Sequence, residues 1–451
     1  MTSEPITMKS RYVFPRHTKA DLPVAVGGDG PFLIDADGKR YLDACGGAAV
    51  SCLGHSDEKL KAAVHEQVDK LAYAHTSFFT TDPSEELAER LAELSPGDLN
   101  RVYFVAGGSE AMESALKLAR QFHMENGQPE RAKIIARWQS YHGNTLGALS
   151  AGGNRWRRAQ FEPMLSPAMH HVSQCNAYRG QAAGESDEAY TDRLAQELDD
   201  TIQNLGSETV AAFVAEPVVG ATMGAVPPVA GYFRKMHAVC KKHGVLLILD
   251  EVMCGMGRTG TLFACEQEGV APDMIAIAKG LGAGVQPIGA LLVSDRIYDT
   301  IETGSGFFQH GHTYLGHPMA CAVGNAVLDR LVGDDVLARV APIGEQLRQA
   351  LTARFGNHPN VGDIRGRGLF LGLELVADRG TKEPFDPKLG LAGKIKKRAM
   401  AEGLMCYPMG GTIDGERGDH VLLAPPFIIE DEHIAMIVDR LETAITASLP
   451  Q

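Results

Sequence analysis

An α/β fold built on a doubly wound, mainly parallel sheet is what this sequence predicts, on three observations. Between residues 101 and 293, short apolar runs alternate with helical patterns, the rhythm of βα units in which each buried strand is covered by the helix that follows. Many of the 50 glycines sit in short clusters at the ends of those runs, where the turns between strand and helix are tight. Two of the runs are closed by a single charged residue, Asp250 after 245–249 and Lys279 after 273–278. In an open parallel sheet, side chains at the carboxyl ends of buried strands converge on one crevice, where ligands bind.

Taken in order, residues 24–55 hold short extended runs, and Asp35-Ala36-Asp37-Gly38 predicts a type I′ hairpin turn because Asp-Gly supplies positive φ. The apolar spacing predicts amphipathic helices over 57–71 and 84–94. Strands are expected at 102–105, 133–136, 210–215, 245–249, 274–278 and 290–293, with helices over 109–122, 192–204 and 231–242 between them. After about residue 330 the pattern changes: helices at 342–355 and 391–402 flank strands at 369–375 and 421–423, and a last helix spans 431–448. The expected organisation is an N-terminal segment, 1–70, that joins a smaller α+β domain, 331–451, with a large ligand-binding domain, 71–330, between them.

At 451 residues the chain exceeds the roughly 150 residues that one simple domain organises. A hydrophobic share of 44% with 22% charged residues is that of an ordinary globular protein, which can bury a large core. The net charge of -13 argues against nucleic acid or an anionic membrane as a general partner, though not against a local basic pocket. None of the eight cysteines falls in a C-x-x-C pair, so no zinc or redox motif is visible and no metal site is expected. The first seven residues lack an apolar leader pattern, and no run reaches the ~18 apolar residues of a membrane span. Reduced cysteines and a cytoplasmic location are the expectation.

An amine and a buried carboxylate at the ends of two strands suit an aldehyde cofactor held as a Schiff base. The carboxylate keeps a pyridine nitrogen protonated, so that the ring accepts electrons. Three further segments fill out such a site. Ala106-Gly107-Gly108-Ser109-Glu110 lies between a strand and a helix, where small residues let backbone N–H groups approach an anion and Ser109 adds a hydroxyl; taken alone, it reads first as a helix cap. Tyr141-His142-Gly143 brings an aromatic ring that can stack on a heteroaromatic cofactor or simply pack. Glu216-Pro217 ends another apolar run, and its carboxylate either orients a polar neighbour or caps a loop.

Two decoys are set aside. Gly255-Met256-Gly257-Arg258-Thr259-Gly260 fits a dinucleotide fingerprint, but four residues separate Asp250 from its first glycine and Pro272 leaves little room for the helix that fingerprint needs. His170-His171 with Cys175 resembles a metal set, but adjacent histidines point apart and a solvated loop is expected. No G-x-S-x-G elbow occurs, so a serine hydrolase has little support.

The run from Leu247 through Asp250-Glu251-Val252 to Gly260, with Ala278-Lys279-Gly280, Glu216-Pro217 and His312-Thr313-Tyr314-Leu315-Gly316-His317-Pro318, resembles the signature of class III aminotransferases, pyridoxal 5'-phosphate enzymes of fold type I. The likeness extends from about residue 24 to the C-terminus. It implies that Lys279 binds the cofactor aldehyde and moves the proton, that Asp250 pairs with the pyridinium nitrogen, and that Val252 packs under the ring opposite Tyr141. It further implies that Gly108 and Ser109 hold the phosphate, that His142 and Glu216 belong to the cofactor pocket, and that Thr313 reaches the phosphate in a partner subunit. A homodimer, or a tetramer built from it, follows as the competent unit.

Departures from the family pattern narrow the substrate. Where ornithine- and aminobutyrate-type members carry Gln and often Arg, this chain has Met253 and Asn144, and where ornithine-type members carry a switching Glu and a partner Arg it has Ala221 and Leu422. The Asp-Glu-Val-Met-Cys-Gly segment is closer to the ω-amino acid and amine:pyruvate branch, which implies transfer from an amine to a 2-oxo acid such as pyruvate in a ping-pong sequence. The arginine with which that branch holds a carboxylate aligns near Tyr407; Arg417, in the insertion that follows, is a candidate replacement or an exposed loop charge. Phe78, Phe79 and Tyr407 are candidate pocket walls for an apolar amine, or core. Decarboxylation, elimination and aminomutation on the same scaffold stay open, because the bond that breaks is the one perpendicular to the ring.

Overall fold

The apolar runs pair into one seven-stranded sheet in the computed structural model, which describes residues 7–8 and 12–450. The other residues of the 1–70 segment, and most of the N-terminal tip read above, lie outside the described residues. The strand order is Arg101–Val105, Gly289–Val293, Met274–Ile277, Leu246–Asp250, Val210–Ala215, Lys133–Arg137, Met169–Val172. Gly289–Val293 runs antiparallel to both its neighbours and every other pairing is parallel.

Alternation along the central strands shows why the sheet is covered twice. Leu246 and Ile248 share one apolar cluster with Met112, Ala115 and Ala119 of the helix Gly108–Glu125. Leu247 and Leu249 point the other way, into a cluster with Leu194 and Leu198 of Asp187–Leu205 and Phe233 and Met236 of Tyr232–His243. Successive strand residues face opposite sides, so a run that is apolar at every position demands a helical layer on each face. All five residues of Leu246–Asp250 are accordingly buried, the terminal carboxylate included.

Two smaller four-stranded sheets accompany this one. One orders Val361–Arg367, Phe370–Leu375, Asp419–Leu423 and Tyr407–Gly410. In the other, Leu404–Met405 pairs in parallel with Arg40–Asp43, which continues through Phe32–Asp35 to Ala25–Asp29, so N-terminal strands are hydrogen-bonded to the C-terminal region. Among the described residues, no helix is long and apolar enough to cross a membrane, no disulfide forms and no group of side chains is arranged to hold a metal.

Four local expectations are revised. The hairpin at 35–39 is not type I′: only Gly38 has positive φ, and Asp35 Oδ1 accepts the N–H groups of Asp37 and Lys39, so the aspartate side chain shapes the turn. His170-His171 lies in the edge strand Met169–Val172 rather than a solvated loop, with His171 stacked 4.4 Å from Trp138 and its Nε2 2.9 Å from the Ala151 carbonyl. Proline at 342 suggested a helix start, yet the helix is Val336–Phe355 with Pro342 inside it; buried Val340, Leu347, Leu351 and Phe355 outweigh one missing N–H. A helix not read from the sequence, Pro318–Leu328, is apolar on most sides because it packs against both Glu58–Lys70 and Asp82–Leu94.

Candidate active site

Strand ends of the large sheet deliver the charged groups to one cavity of about 410 Å³. Asp250 closes Leu246–Asp250 and is 4% exposed, its Oδ2 2.8 Å from His142 Nδ1 while Oδ1 accepts the N–H of Val252 at 3.0 Å. Glu216 follows Val210–Ala215 and accepts the N–H groups of Tyr141 at 3.0 Å and Gly220 at 2.9 Å. Burial pushes the Glu216 carboxyl up; neighbouring His142 and the two N–H groups pull it back, and the Asp250 charge raises it again.

Lys279 stands just beyond Met274–Ile277 at φ +48°, a left-handed conformation that costs a lysine strain. Its Nζ has no hydrogen-bond or ion-pair partner among the described residues. Desolvation lowers the amine to about 8, against the opposing pull of Asp250 and Glu216. A strained, desolvated and unpartnered amine is expensive for a fold to keep. An aldehyde cofactor would give such an amine a partner.

The opposite end of the cavity is a turn. Gly107 and Gly108 open the helix Gly108–Glu125, and Glu110 reaches back to accept the Ala106 N–H at 2.8 Å. A Cβ on Gly108 would stand 2.6 Å from Val252 Cγ1, so only glycine lets the turn meet that side chain. Ser109 Oγ accepts the Asn144 N–H at 3.1 Å and keeps its own proton to donate. Tyr141 and Val252 both line the space between this turn and Lys279. An anion cradle, an aromatic slot, a carboxylate and an amine thus line one cavity, and the set fits pyridoxal phosphate.

The remaining sequence-read residues sit elsewhere. Tyr407 is half-buried on a cluster that joins Met253, Ala221, Phe370 and Leu422. Phe79 and Phe78 are exposed and do not line the cavity of this chain. Thr313 is exposed, with its carbonyl accepting from Tyr73 Oη at 2.8 Å. Arg417 is not brought to the cavity: its Nε is 2.7 Å from Asp414 within the same exposed loop, which satisfies its charge locally. Further features were not read from the sequence. Val50 and Ile288 also line the cavity, and Arg157 stacks 4.6 Å over the Tyr141 ring. A Gly46-Gly47 pair after Arg40–Asp43 was the available signal for the first; nothing local marks the other two.

A family model described as aminotransferase class-III matches residues 14–445. The chain belongs to the class III aminotransferases. An uncharacterised aminotransferase of Schizosaccharomyces pombe is 46% identical over 448 residues, 99% of this chain and 98% of that one. Among solved structures, an (S)-enantioselective omega-transaminase of Thermomicrobium roseum is similar at TM-score 0.92 and 39% identity, covering 98% of this chain and 97% of that one. The PMP-bound aminotransferase of Vibrio fluvialis gives TM-score 0.89 at 33% identity, covering 97% and 96%. This class III aminotransferase is therefore a pyridoxal-phosphate-dependent transaminase of fold type I, with small-molecule amine and oxo-acid substrates.

Proposed function

We propose that the enzyme moves an amino group from an apolar amine or ω-amino acid to a 2-oxo acid, pyruvate in the first instance, by a ping-pong sequence. The observation that carries this reading is the shared cavity of Lys279, Asp250 and the Ser109 turn, walled on one side by Met253. Ala221, Met253 and Leu422, at positions that are polar in ornithine-type members, belong to one buried apolar cluster. Met253, the part of that cluster that lines the cavity, offers no charge to a second amino group and favours an apolar substituent.

When bound, pyridoxal phosphate supplies an aldehyde to take up the amino group and a ring that draws electrons from the substrate Cα. Asp250, oriented by His142 and by the Val252 N–H, would hold the proton on the ring nitrogen. Lys279 Nζ takes the proton from Cα as general base and returns it on the cofactor side. Gly108 and Ser109 would anchor the phosphate, and Tyr141 and Val252 would hold the ring. We further propose that residues 71–330 form the cofactor domain, with 1–70 and 331–451 together as the smaller one. The exposed aromatic side chains Tyr73, Phe78, Phe79 and Tyr314, near Thr313, support a homodimer in which Thr313 and Phe79 serve the neighbouring site. Eight buried cysteines, none paired, support a cytoplasmic location.

Incubating the purified enzyme with amine donors and pyruvate should yield alanine; carbon dioxide or an elimination product without alanine would refute transamination to pyruvate. The lowered amine at Lys279 also sets how fast the apoenzyme captures its cofactor, since only the neutral amine attacks an aldehyde. The capture rate should climb about tenfold per pH unit at lower pH and level off above about 8. Stopped-flow absorbance would show this, and a rate still climbing steeply at pH 10 would mean that the amine is not desolvated.

A further inference from the structure

Arginines around the cavity are mostly committed. Arg137 donates to the Glu216 carbonyl, Arg158 to the carbonyls of Ser150 and Gly152, and Arg258 to those of Leu369 and Pro425. Arg155 lies over Trp138, facing another way. Arg157 differs. Its guanidinium stacks 4.6 Å above the Tyr141 ring and makes no hydrogen bond or ion pair among the described residues, and its Nε is buried without a partner. The side chain is half-buried, so the group is neither freely solvated nor satisfied.

Its position is built rather than incidental. Asn154 caps the short helix Arg155–Arg158 by accepting the Arg157 N–H at 3.1 Å and donates to Gln139 Oε1 at 3.0 Å. Gln139 in turn donates to the carbonyls of Gly411 and Thr412. Gly415 of that insertion lies so close that a Cβ there would be 2.9 Å from the Trp156 nitrogen. The loop that carries Arg417 therefore buttresses the helix that carries Arg157. Tyr141, the ring beneath this guanidinium, lines the cavity, and the Arg157 charge is felt at Lys279. Arg16 adds a second positive charge on the Tyr141 side, in a chain whose net charge is -13.

We infer that Arg157 is the receptor for the substrate carboxylate, its free fork receiving the acid group of the 2-oxo acid at the edge of Tyr141. A planar guanidinium presents paired donors that match a carboxylate, and the stacked ring fixes its plane. The inference rests on the transamination reading above and adds a specificity residue to it.

The test compares acceptors with and without the acid group, pyruvate against propanal, in wild type, Arg157→Gln and Arg157→Lys holoenzymes with one amine donor. Arg157→Gln should raise KM for pyruvate about ten- to a hundredfold, as loss of a charged hydrogen-bonded pair implies, and leave KM for propanal unchanged. Arg157→Lys should recover part of the loss. Propionate, which cannot react, should perturb the cofactor absorbance of wild type with a Kd that weakens by a similar factor in Arg157→Gln. An equal rise in KM for both acceptors would overturn the proposal, because a mere strut for Tyr141 has no preference for acids. An unchanged KM for pyruvate, or unchanged propionate binding, would overturn it as well. A wild type that forms no alanine from any donor would instead remove the underlying reading, and the carboxylate receptor with it.

Discussion

Lys279→Ala should lose turnover by about a thousandfold or more, the scale at which a positioned general base acts, together with its covalent hold on the cofactor. Two proposed roles end at once: the nitrogen that captures the aldehyde and the base that carries the proton to and from Cα. The variant should fold, because Nζ makes no hydrogen bond that the surroundings need and alanine relaxes little of the backbone, which stays at positive φ. Pyridoxal phosphate should still bind through the Ser109 turn, but borohydride should no longer fix it to the protein. Added methylamine should restore part of the rate, since a small amine enters the space left by the side chain. Retention of both turnover and borohydride labelling would refute the assignment.

Asp250→Asn should cost about a hundred- to a thousandfold in kcat while cofactor capture by Lys279 survives. The amide can still accept from the Val252 N–H and stay beside His142 Nδ1, so the local geometry has a substitute for each contact. What it cannot do is hold a proton on the ring nitrogen, and without that charge the ring is a poor electron sink. The spectroscopic mark is a bound cofactor whose ring nitrogen titrates near neutral pH instead of staying protonated. Near-wild-type turnover would show that this carboxylate does not face the ring nitrogen. His142 Nε2, buried and unpartnered, makes a second readout available. If Asp250 anchors the imidazole, the histidine resonance should shift in the variant.

Most of the large sheet was legible because its strands are buried on both faces, so every residue of runs such as Leu246–Asp250 had to be apolar up to the terminal carboxylate. The edge strand Met169–Val172 was not, since one side faces solvent and two histidines replace the apolar pattern. Pro318–Leu328 was hidden for the opposite reason: packed by two other helices, it has no polar face to give it a period. Within the candidate site, Lys279, Asp250 and the Gly-Gly-Ser turn each occupy a fixed place at a strand or helix end, so position along the chain implied position in space. Arg157 and the Gln139 link to the insertion occupy no such place.

Sequence by itself determined the family of this chain and the order that carries it: an amine and an acid at neighbouring strand ends, and a glycine-rich turn before a helix. The tertiary structure alone decided which arginine is left to meet a substrate. Arg417 neutralises its charge on Asp414 three residues away, whereas Arg157 is held on Tyr141 by packing between segments more than 250 residues apart. Local spacing encodes what a side chain is able to do. Whether its hydrogen bonds are already spent depends on partners that only folding brings near.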